Sequence, residues 1–441
     1  MSDLLAARAQ MGTSLAFHII FAALGIGLPL LLCISEGMYL RTKKPEYLAL
    51  AKKWAKATAI LFAVGAVSGT VLSFELGLLW PGFMQYAGSI VGMPFSLEGY
   101  AFFIEAIFLG LYLYGRSRLS PLVHWLTTIP IAVSGMLSGI FVVAVNGWMN
   151  SPTGFKVVDG KVTDIDPIAA LFNPSWFQQA VHSTLSAYIA TGFAVAAVYA
   201  IGMLRGRKDD YHCKALAMGL IIGCIAAPLQ LLSGHASAVW VSENQPAKLA
   251  AMESHFETQT CAPLTIGGIP NTEKGTVDYA IQIPCGLSLL VGFNPNTKVT
   301  GLNDIAPELR PKTSIVHPAF DIMVGSGMFM ILVSLGAAFT AWRTRRVPDK
   351  KWQLWTVALT GPLGFIAIEA GWTVTEVGRQ PWVVYGFVKT SDAVTTAPGV
   401  AIFFALFTFM YISMAVIVVW LLRRLAKSTS KPDKESGYAV A

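Results

Sequence analysis

Charge is scarce in this chain. Only 13% of its 441 residues are Asp, Glu, Lys or Arg while 54% are hydrophobic, against roughly 25% charged in a soluble domain, and mean hydropathy is +0.57. A soluble globular fold is excluded. Histidine is also rare, with seven residues in all, and none are clustered to hold copper. No internal repeat is visible, which argues against an inverted-repeat transporter. The first apolar stretch lacks a charged n-region and a small-residue cleavage site, so it is expected to stay as a span rather than leave as a signal peptide.

What is present is a series of long apolar runs. A bilayer core about 30 Å thick needs about 20 apolar residues per helix, and nine such runs centre near 14–39, 55–80, 95–115, 122–148, 176–203, 215–240, 317–342, 352–373 and 399–423. The fold class is therefore an all-α integral membrane protein with nine transmembrane helices. The organisation is spans one to six over 1–240, a long connection over 241–316, spans seven to nine over 317–427 and a polar, disordered tail over 428–441.

The net charge of +7 does not form a nucleic-acid patch but follows the connections. Arg41, Lys43, Lys44, Lys52 and Lys53 lie around the first, Arg116 and Arg118 in the third, and Arg205, Arg207, Lys208 and Lys214 around the fifth. Arg343, Arg345, Arg346, Lys350 and Lys351 fill the seventh, and Arg423, Arg424 and Lys427 follow the last span. The second connection has no Lys or Arg. By the positive-inside rule the odd connections are cytoplasmic, with the N-terminus outside and the C-terminus inside. Cys261 and Cys285 then lie in the long sixth connection on the oxidising side, where disulfides persist. A bridge between them is expected to constrain that loop by about 3 kcal/mol. In the outer loop over 149–175, Ser151-Pro152-Thr153-Gly154 and Asp159-Gly160 carry a hairpin signal.

Ionisable residues inside membrane helices are costly and mark functional sites by default. The topology places His18, Glu98, His182, Met323 and Glu376 in one outer-leaflet plane, with Glu105 two helical turns, about 10 Å, below Glu98. Ser138 and Asn146 on the fourth span bring polar groups to similar depths. A buried carboxylate must be protonated, paired or bound to metal; the plainest role for these is an ion pair with Arg8 or Arg379. A lone membrane histidine such as His124 or His235 more often hydrogen-bonds a neighbouring helix, and Met323 alone would be packing. His182 and Met323 in one plane match the axial pair of a low-spin haem.

Around these residues the chain resembles subunit I of the cytochrome bd quinol oxidases. The resemblance covers all nine spans. It rests on Arg8-Ala9-Gln10 before His18, on Glu98-Gly99-Tyr100-Ala101-Phe102-Phe103-Ile104-Glu105, on Asn146-Gly147-Trp148-Met149, on His182 and on Ile322-Met323-Val324-Gly325. The most specific stretch runs from Gly371-Trp372 through Glu376 to Gly378-Arg379-Gln380-Pro381-Trp382. The resemblance implies an enzyme that oxidises quinol (ubiquinol or menaquinol) at the outer face and reduces dioxygen to water, building proton-motive force in a prokaryotic plasma membrane. It implies three haems and no copper. His182 and Met323 would ligate a low-spin haem b, and His18 and Glu376 would serve a high-spin haem b and a haem d, in either pairing. Glu98, Glu105 and Ser138 would handle protons, with Arg8, Asn146, Trp372 and Arg379 in the haem environment.

In the sixth connection, Lys248-Leu249-Ala250-Ala251-Met252-Glu253 is similar to the family's quinol segment, making Lys248 and Glu253 the quinol contacts. The plainer role for this pair is a solvated salt bridge on an ordinary helical segment. The family also implies a homologous membrane subunit II, sometimes with a small single-span subunit. Two features depart from the wider pattern. Asp321 stands where some relatives have an arginine two residues before the methionine ligand, so a haem-propionate contact there is lost or reversed in sign. The sixth connection is short, as in the branch that includes cyanide-insensitive oxidases, in some of which haem b replaces haem d. Two other functions compete: a membrane b-type cytochrome that relays electrons without reducing oxygen, and a proton-coupled transporter. The relay class usually shows two paired histidines on each of two helices, which are absent here.

Overall fold

A computed structural model describes residues 3–427; the polar tail expected over 428–441 lies outside the described residues. Among these there are nine helices long and apolar enough to cross a membrane. They are α1 Asp3–Thr42, α2 Pro45–Leu79, α3 Pro81–Gly115, α4 Thr128–Asn150, α5 Trp176–Leu204, α6 Asp210–Asn244, α7 Thr313–Thr344, α8 Lys351–Val377 and α9 Val400–Lys427. A short helix, Pro121–Leu126, leads into α4. Pro45, Pro81 and Pro121 begin helices, where the missing N–H costs nothing and the fixed φ is already helical. Pro29, Pro94, Pro228, Pro318 and Pro362 lie inside helices, which membrane bundles tolerate because neighbouring groups re-satisfy the freed carbonyls.

Several helices are longer than their apolar runs. α1 starts at Asp3 rather than near residue 14, and α3 at Pro81 rather than near residue 95, leaving Trp80 alone between α2 and α3. The extra turns are held by packing rather than lipid: Ala6, Ala7, Phe83, Ala87, Ile90 and Val91 form one buried cluster with Trp148 and Val384. Glu98 is therefore well inside α3 and not at its end.

The most intimate helix pair is α5 with α6. A Cβ on Gly192 would meet the Gly219 carbonyl oxygen at 2.9 Å, and one on Gly219 would meet the Gly192 oxygen at 2.7 Å. Without a hydrophobic drive between helices in lipid, such small residues let backbones approach and gain dispersion contact. Helix α5 is the most enclosed, with 61% of its most apolar window buried, whereas α9 has 11% and is peripheral.

The connections at one end of the bundle are built rather than loose; we call this end the loop face. Strands β1 Lys156–Val158 and β2 Lys161–Thr163 pair across the Asp159-Gly160 turn. After α6 comes the short helix Pro246–Met252, then two nested hairpins. β3 Leu264–Ile266 pairs with β6 Ile281–Ile283, and between them β4 Ile269–Asn271 pairs with β5 Thr276–Asp278. A Cys261–Cys285 disulfide closes their base, and the helix Gly286–Gly292 follows. Beyond α8, β7 Trp382–Val384 pairs with β8 Val388–Lys389.

The disulfide gives a direct test of this loop. Peptide mapping without reductant is expected to recover one cross-linked species spanning Cys261 and Cys285. Replacing either by Ser is expected to remove about 3 kcal/mol of loop constraint, read as faster limited proteolysis between the two positions. Full alkylation of both thiols in unreduced protein would contradict it.

Candidate functional site

Helix α4 passes three carboxylates in turn. Its Asn146 donates from Nδ2 to Glu376 Oε1 at 2.5 Å, its Ser138 donates to Glu98 Oε1 at 3.1 Å, and its Gly135 lies against Glu105, whose Oε2 is 3.3 Å from where a Cβ would stand. Residues 138 to 146 span roughly 12 Å of helix rise. Glu98 therefore does not share the level of Glu376, as the sequence had implied; the three carboxyls form a descending line. The cause is the early start of α3 at Pro81. Glu105 is buried, and its Oε1 has no partner.

Glu376 is also paired on its own helix end. Arg379 donates to Glu376 Oε2 at 2.5 Å, realising the expected ion pair. Arg8 instead donates to Gln380 Oε1 at 3.3 Å. Arg379 is 2% exposed, and its Nε and Nη1 have no partner. On the loop side, Lys248 is 5% exposed and its Nζ donates to Asn150 Oδ1 at 2.8 Å. Asn150 Nδ2 in turn donates to Asn146 Oδ1 at 3.0 Å. A continuous chain thus runs from Lys248 through Asn150 and Asn146 to Glu376 and Arg379.

The two spanning histidines at the centre are presented alike. His18 Nδ1 lies 2.8 Å from Ser68 Oγ, and that hydroxyl donates onward to the Val64 carbonyl at 2.9 Å. The ring must therefore donate from Nδ1, leaving the Nε2 lone pair available. His182 Nδ1 lies 2.8 Å from Ser233 Oγ, and Nε2 accepts an N–H from Gln230 at 2.9 Å. In both cases a glycine follows the serine and faces the ring: Gly69 with a Cβ position 3.1 Å from His18 Cε1, and Gly234 at 3.6 Å from His182 Cε1. The α1–α2 and α5–α6 hairpins therefore repeat one His/Ser-Gly device, a repeat that the sequence did not display because only three residues carry it. Met323, on α7, puts its sulfur 3.0 Å from the Cβ position of Gly371 on α8. Trp372 packs against a buried cluster of Ala23, Ile26, Ala187, Ala190 and Ile368.

The segment after α6 differs from expectation. Lys248 and Glu253 form no solvated salt bridge. Lys248 lines a cleft of about 170 Å³ with Arg379, Gln380, Trp382 and Tyr385, while Glu253 is 1% exposed with both oxygens unpartnered. Burial, and then repulsion from Arg379, lowers Lys248 to about 7. Burial raises Glu253 to about 8, outweighing the pull of the Thr265 backbone. Asp321 is paired within its own helix, 3.3 Å from His317 Nε2. His317 also contacts the Met252 carbonyl through Nδ1 at 2.7 Å and the Gly267 carbonyl through Nε2 at 3.0 Å, tying the segment to the helix that bears Met323. His235 stacks edge-on against Phe293 at 5.3 Å rather than bridging helices by hydrogen bond.

Three carboxylates within the spans were missed. Glu36 meets His124 Nδ1 at 2.6 Å, Arg116 at 3.3 Å and the Tyr112 hydroxyl, a structural knot at the basic end. Glu75 accepts from Gln10 and Ser14 at 2.9 Å each. Glu369, two turns before Glu376 on α8, has an enclosed and unpartnered Oε1. The same rule that found Glu98, a carboxylate within an apolar run, would have found all three.

The donor set decides what this interior can hold. Among the described residues no three His, Cys, Asp or Glu side chains converge on a point that could hold a metal ion. Imidazoles fixed through Nδ1, a thioether and a paired carboxylate, each on a different helix, instead suit a macrocycle that brings its own equatorial nitrogens and needs only axial side chains. The orphan Nε and Nη1 of Arg379 and the buried Lys248 are the donors that would meet its acidic substituents. Fold and donor set define a multi-span membrane cytochrome.

The chain belongs to the cytochrome bd terminal oxidase subunit I family, whose model matches residues 6–430. It is 42% identical over 428 residues to a putative cytochrome bd menaquinol oxidase subunit I of Bacillus subtilis, covering 96% of each chain. It is 30% identical to the cytochrome bd ubiquinol oxidase subunit 1 of the same organism, covering 100% of this chain and 97% of that one. The bd oxidase structure from Geobacillus thermodenitrificans superposes with a TM-score of 0.90 at 38% identity, over 96% of this chain and 98% of the other. Membership brings haem as the cofactor and the prokaryotic plasma membrane as the location.

The asparagine chain is testable without any cofactor assignment. Asn150→Ala leaves Lys248 Nζ and Asn146 Oδ1 unsatisfied and is expected to cost about 1–3 kcal/mol, read as a lower melting temperature in detergent. Asn150→Asp, which keeps the acceptor for Lys248, is expected to cost less.

Proposed function

We propose that this chain works as the haem-bearing catalytic subunit of a quinol oxidase, with roles divided among the residues placed above. The observation that carries the division is the matched presentation of His18 and His182 by a serine hydroxyl on the adjacent helix. His182 with Met323 would hold a low-spin haem b. His18 and Glu376 would hold the two haems of the oxygen site, a high-spin haem b and a haem d or a second haem b. Haem supplies one-electron transfer and oxygen binding. The relatives support quinol and dioxygen as substrates and a subunit II as partner; a small single-span subunit and the choice of menaquinol or ubiquinol are extensions of that reading.

The protein's own contribution is to hold and move protons. Quinol oxidation releases two hydroxyl protons and requires bases. The cleft beside Lys248, walled by Trp382 and Tyr385, suits a flat head group, and Glu253 at the end of the same short helix is the candidate base. Glu98, Ser138 and Glu105 descend along α4 from the level of Glu376 and are suited to pass protons towards the oxygen site from the opposite, basic end. The basic connections support an N-terminus outside and a cytoplasmic C-terminus. Quinol protons would then leave outside while protons for water formation enter from the cytoplasm, charging the membrane.

His182→Ala and Met323→Leu are each expected to abolish the low-spin haem signal in a reduced-minus-oxidised spectrum while leaving high-spin absorption. Gly371→Ala, which crowds the Met323 sulfur, is expected to lower the midpoint potential of the same signal, because an axial methionine raises it. An unchanged low-spin spectrum in His182→Ala would refute the assignment.

Glu253 can accept a proton only when ionised, and its carboxyl is held up at about 8. Quinol oxidation is therefore expected to rise as pH increases through that region and to lose this limb in Glu253→Gln, with a rate about 10²-fold lower. Oxygen consumption driven by an artificial donor is expected to survive both Glu253→Gln and Lys248→Ala.

A further inference from the structure

The junction of α1, α2 and α9 contains a polar cluster outside every role assigned so far. Glu75 on α2 is 3% exposed, Gln10 on α1 is 2% exposed, Ser14 is fully buried, and Tyr411 on α9 is 3% exposed. Gln10 Nε2 and the Ser14 hydroxyl both donate to the same oxygen, Glu75 Oε1, at 2.9 Å. Three enclosed polar atoms around this pair have no partner: Glu75 Oε2, Gln10 Oε1 and the Tyr411 hydroxyl. Tyr411 is held in place by its ring, 4.7 Å from that of Phe17, and its hydroxyl lies beside Ser14 and Glu75.

An enclosed polar atom left without a partner costs about 1–3 kcal/mol, so three at one point would be a heavy loss unless something joins them. Buried waters do this, typically with about three hydrogen bonds each. The partners here are complementary: one carboxyl oxygen, one amide oxygen and one hydroxyl that can both give and accept. A water can donate to Glu75 Oε2 and Gln10 Oε1 and accept from Tyr411. The groups facing Glu75 are Gln10 and Ser14 from α1 and Tyr411 from α9; among the described residues no cation faces it.

We propose that this junction is a built internal water site, and that Glu75 exchanges a proton with the water it holds. When Glu75 is protonated, its Oε2–H donates to the water; transfer leaves a carboxylate on Glu75 and a hydronium, and return reverses it. The site lies on the helix pair that presents His18: Ser14 is one turn before His18 on α1, and Ser68, which fixes the His18 ring, is two turns before Glu75 on α2. A proton held at Glu75 is thus placed to balance charge near His18, from a side of the bundle different from the Glu98–Glu105 line. The inference does not depend on the quinol assignments.

Two measurements on the intact oxidase test it. A map that resolves ordered waters is expected to show density bonded to Glu75 Oε2, Gln10 Oε1 and Tyr411 Oη. Redox-induced infrared difference spectra are expected to contain a protonated-carboxyl carbonyl band that shifts in heavy water, is lost in Glu75→Gln and moves in Tyr411→Phe, with haem content unchanged. Direct contact of Glu75 with Tyr411 and no water between them would overturn the site. Retention of the full carbonyl band in Glu75→Gln with normal haem content would overturn the proton exchange. Should Glu75→Gln fail to assemble, the wild-type map and the Tyr411→Phe spectrum decide the matter.

Discussion

Asn146 is the residue on which the loop-face end of this molecule depends. In a low-dielectric bundle a carboxylate such as Glu376 persists only if its oxygens are matched, and one of the two is matched by Asn146 from a different helix. The same side chain accepts from Asn150, which accepts from Lys248. A single amide therefore fixes α4 to α8 and, through one more residue, to the segment proposed to meet quinol. Because every link is a direct hydrogen bond, displacement of Lys248 changes the field at Glu376 without a moving domain.

The orientation of the interior follows from that fixed end. With Glu376 anchored at residue 146 of α4, the spacing of Ser138 and Gly135 sets the depth of Glu98 and Glu105. A helix is a rigid ruler at about 1.5 Å per residue, so the three carboxyls are ordered in depth by one element. This arrangement lets a proton approach Glu376, the proposed oxygen-site ligand, without crossing the face at which quinol protons are proposed to leave. Separation of the two is what turns an exergonic oxidation into a membrane potential.

Much of this was legible from residues whose presence in lipid has no cheap explanation. His18, His182, Glu98, Glu105 and Glu376 stand out because a polar group in an apolar run must be paired or used, and the nine spans follow from run length alone. Depth was less legible. Hydropathy marks where lipid is, but α3 continues to Pro81 because its extra turns pack on Trp148 and Ala7, and packing between distant segments leaves no mark on a local average. The repeated histidine device escaped for a related reason: Ser68-Gly69 and Ser233-Gly234 are common dipeptides, and only their contact with an imidazole some 50 residues away gives them meaning. Glu253 was legible as a candidate residue but not as a buried one, because a loop of Gly, Pro and Asn looks exposed until its hairpins fold over it.

Asp321 shows how a departure from a family pattern can be absorbed locally. A carboxylate replacing an arginine next to Met323 would, in isolation, reverse the charge beside the proposed axial ligand. Here it faces His317 at 3.3 Å. The remaining partners of that ring are the carbonyls of Met252 and Gly267, so the side chain that Asp321 faces is itself fixed from two other segments. The same histidine pins the residue preceding Glu253 to α7. In this chain the pairing of Asp321 and the placement of the segment proposed to meet quinol therefore rest on one side chain.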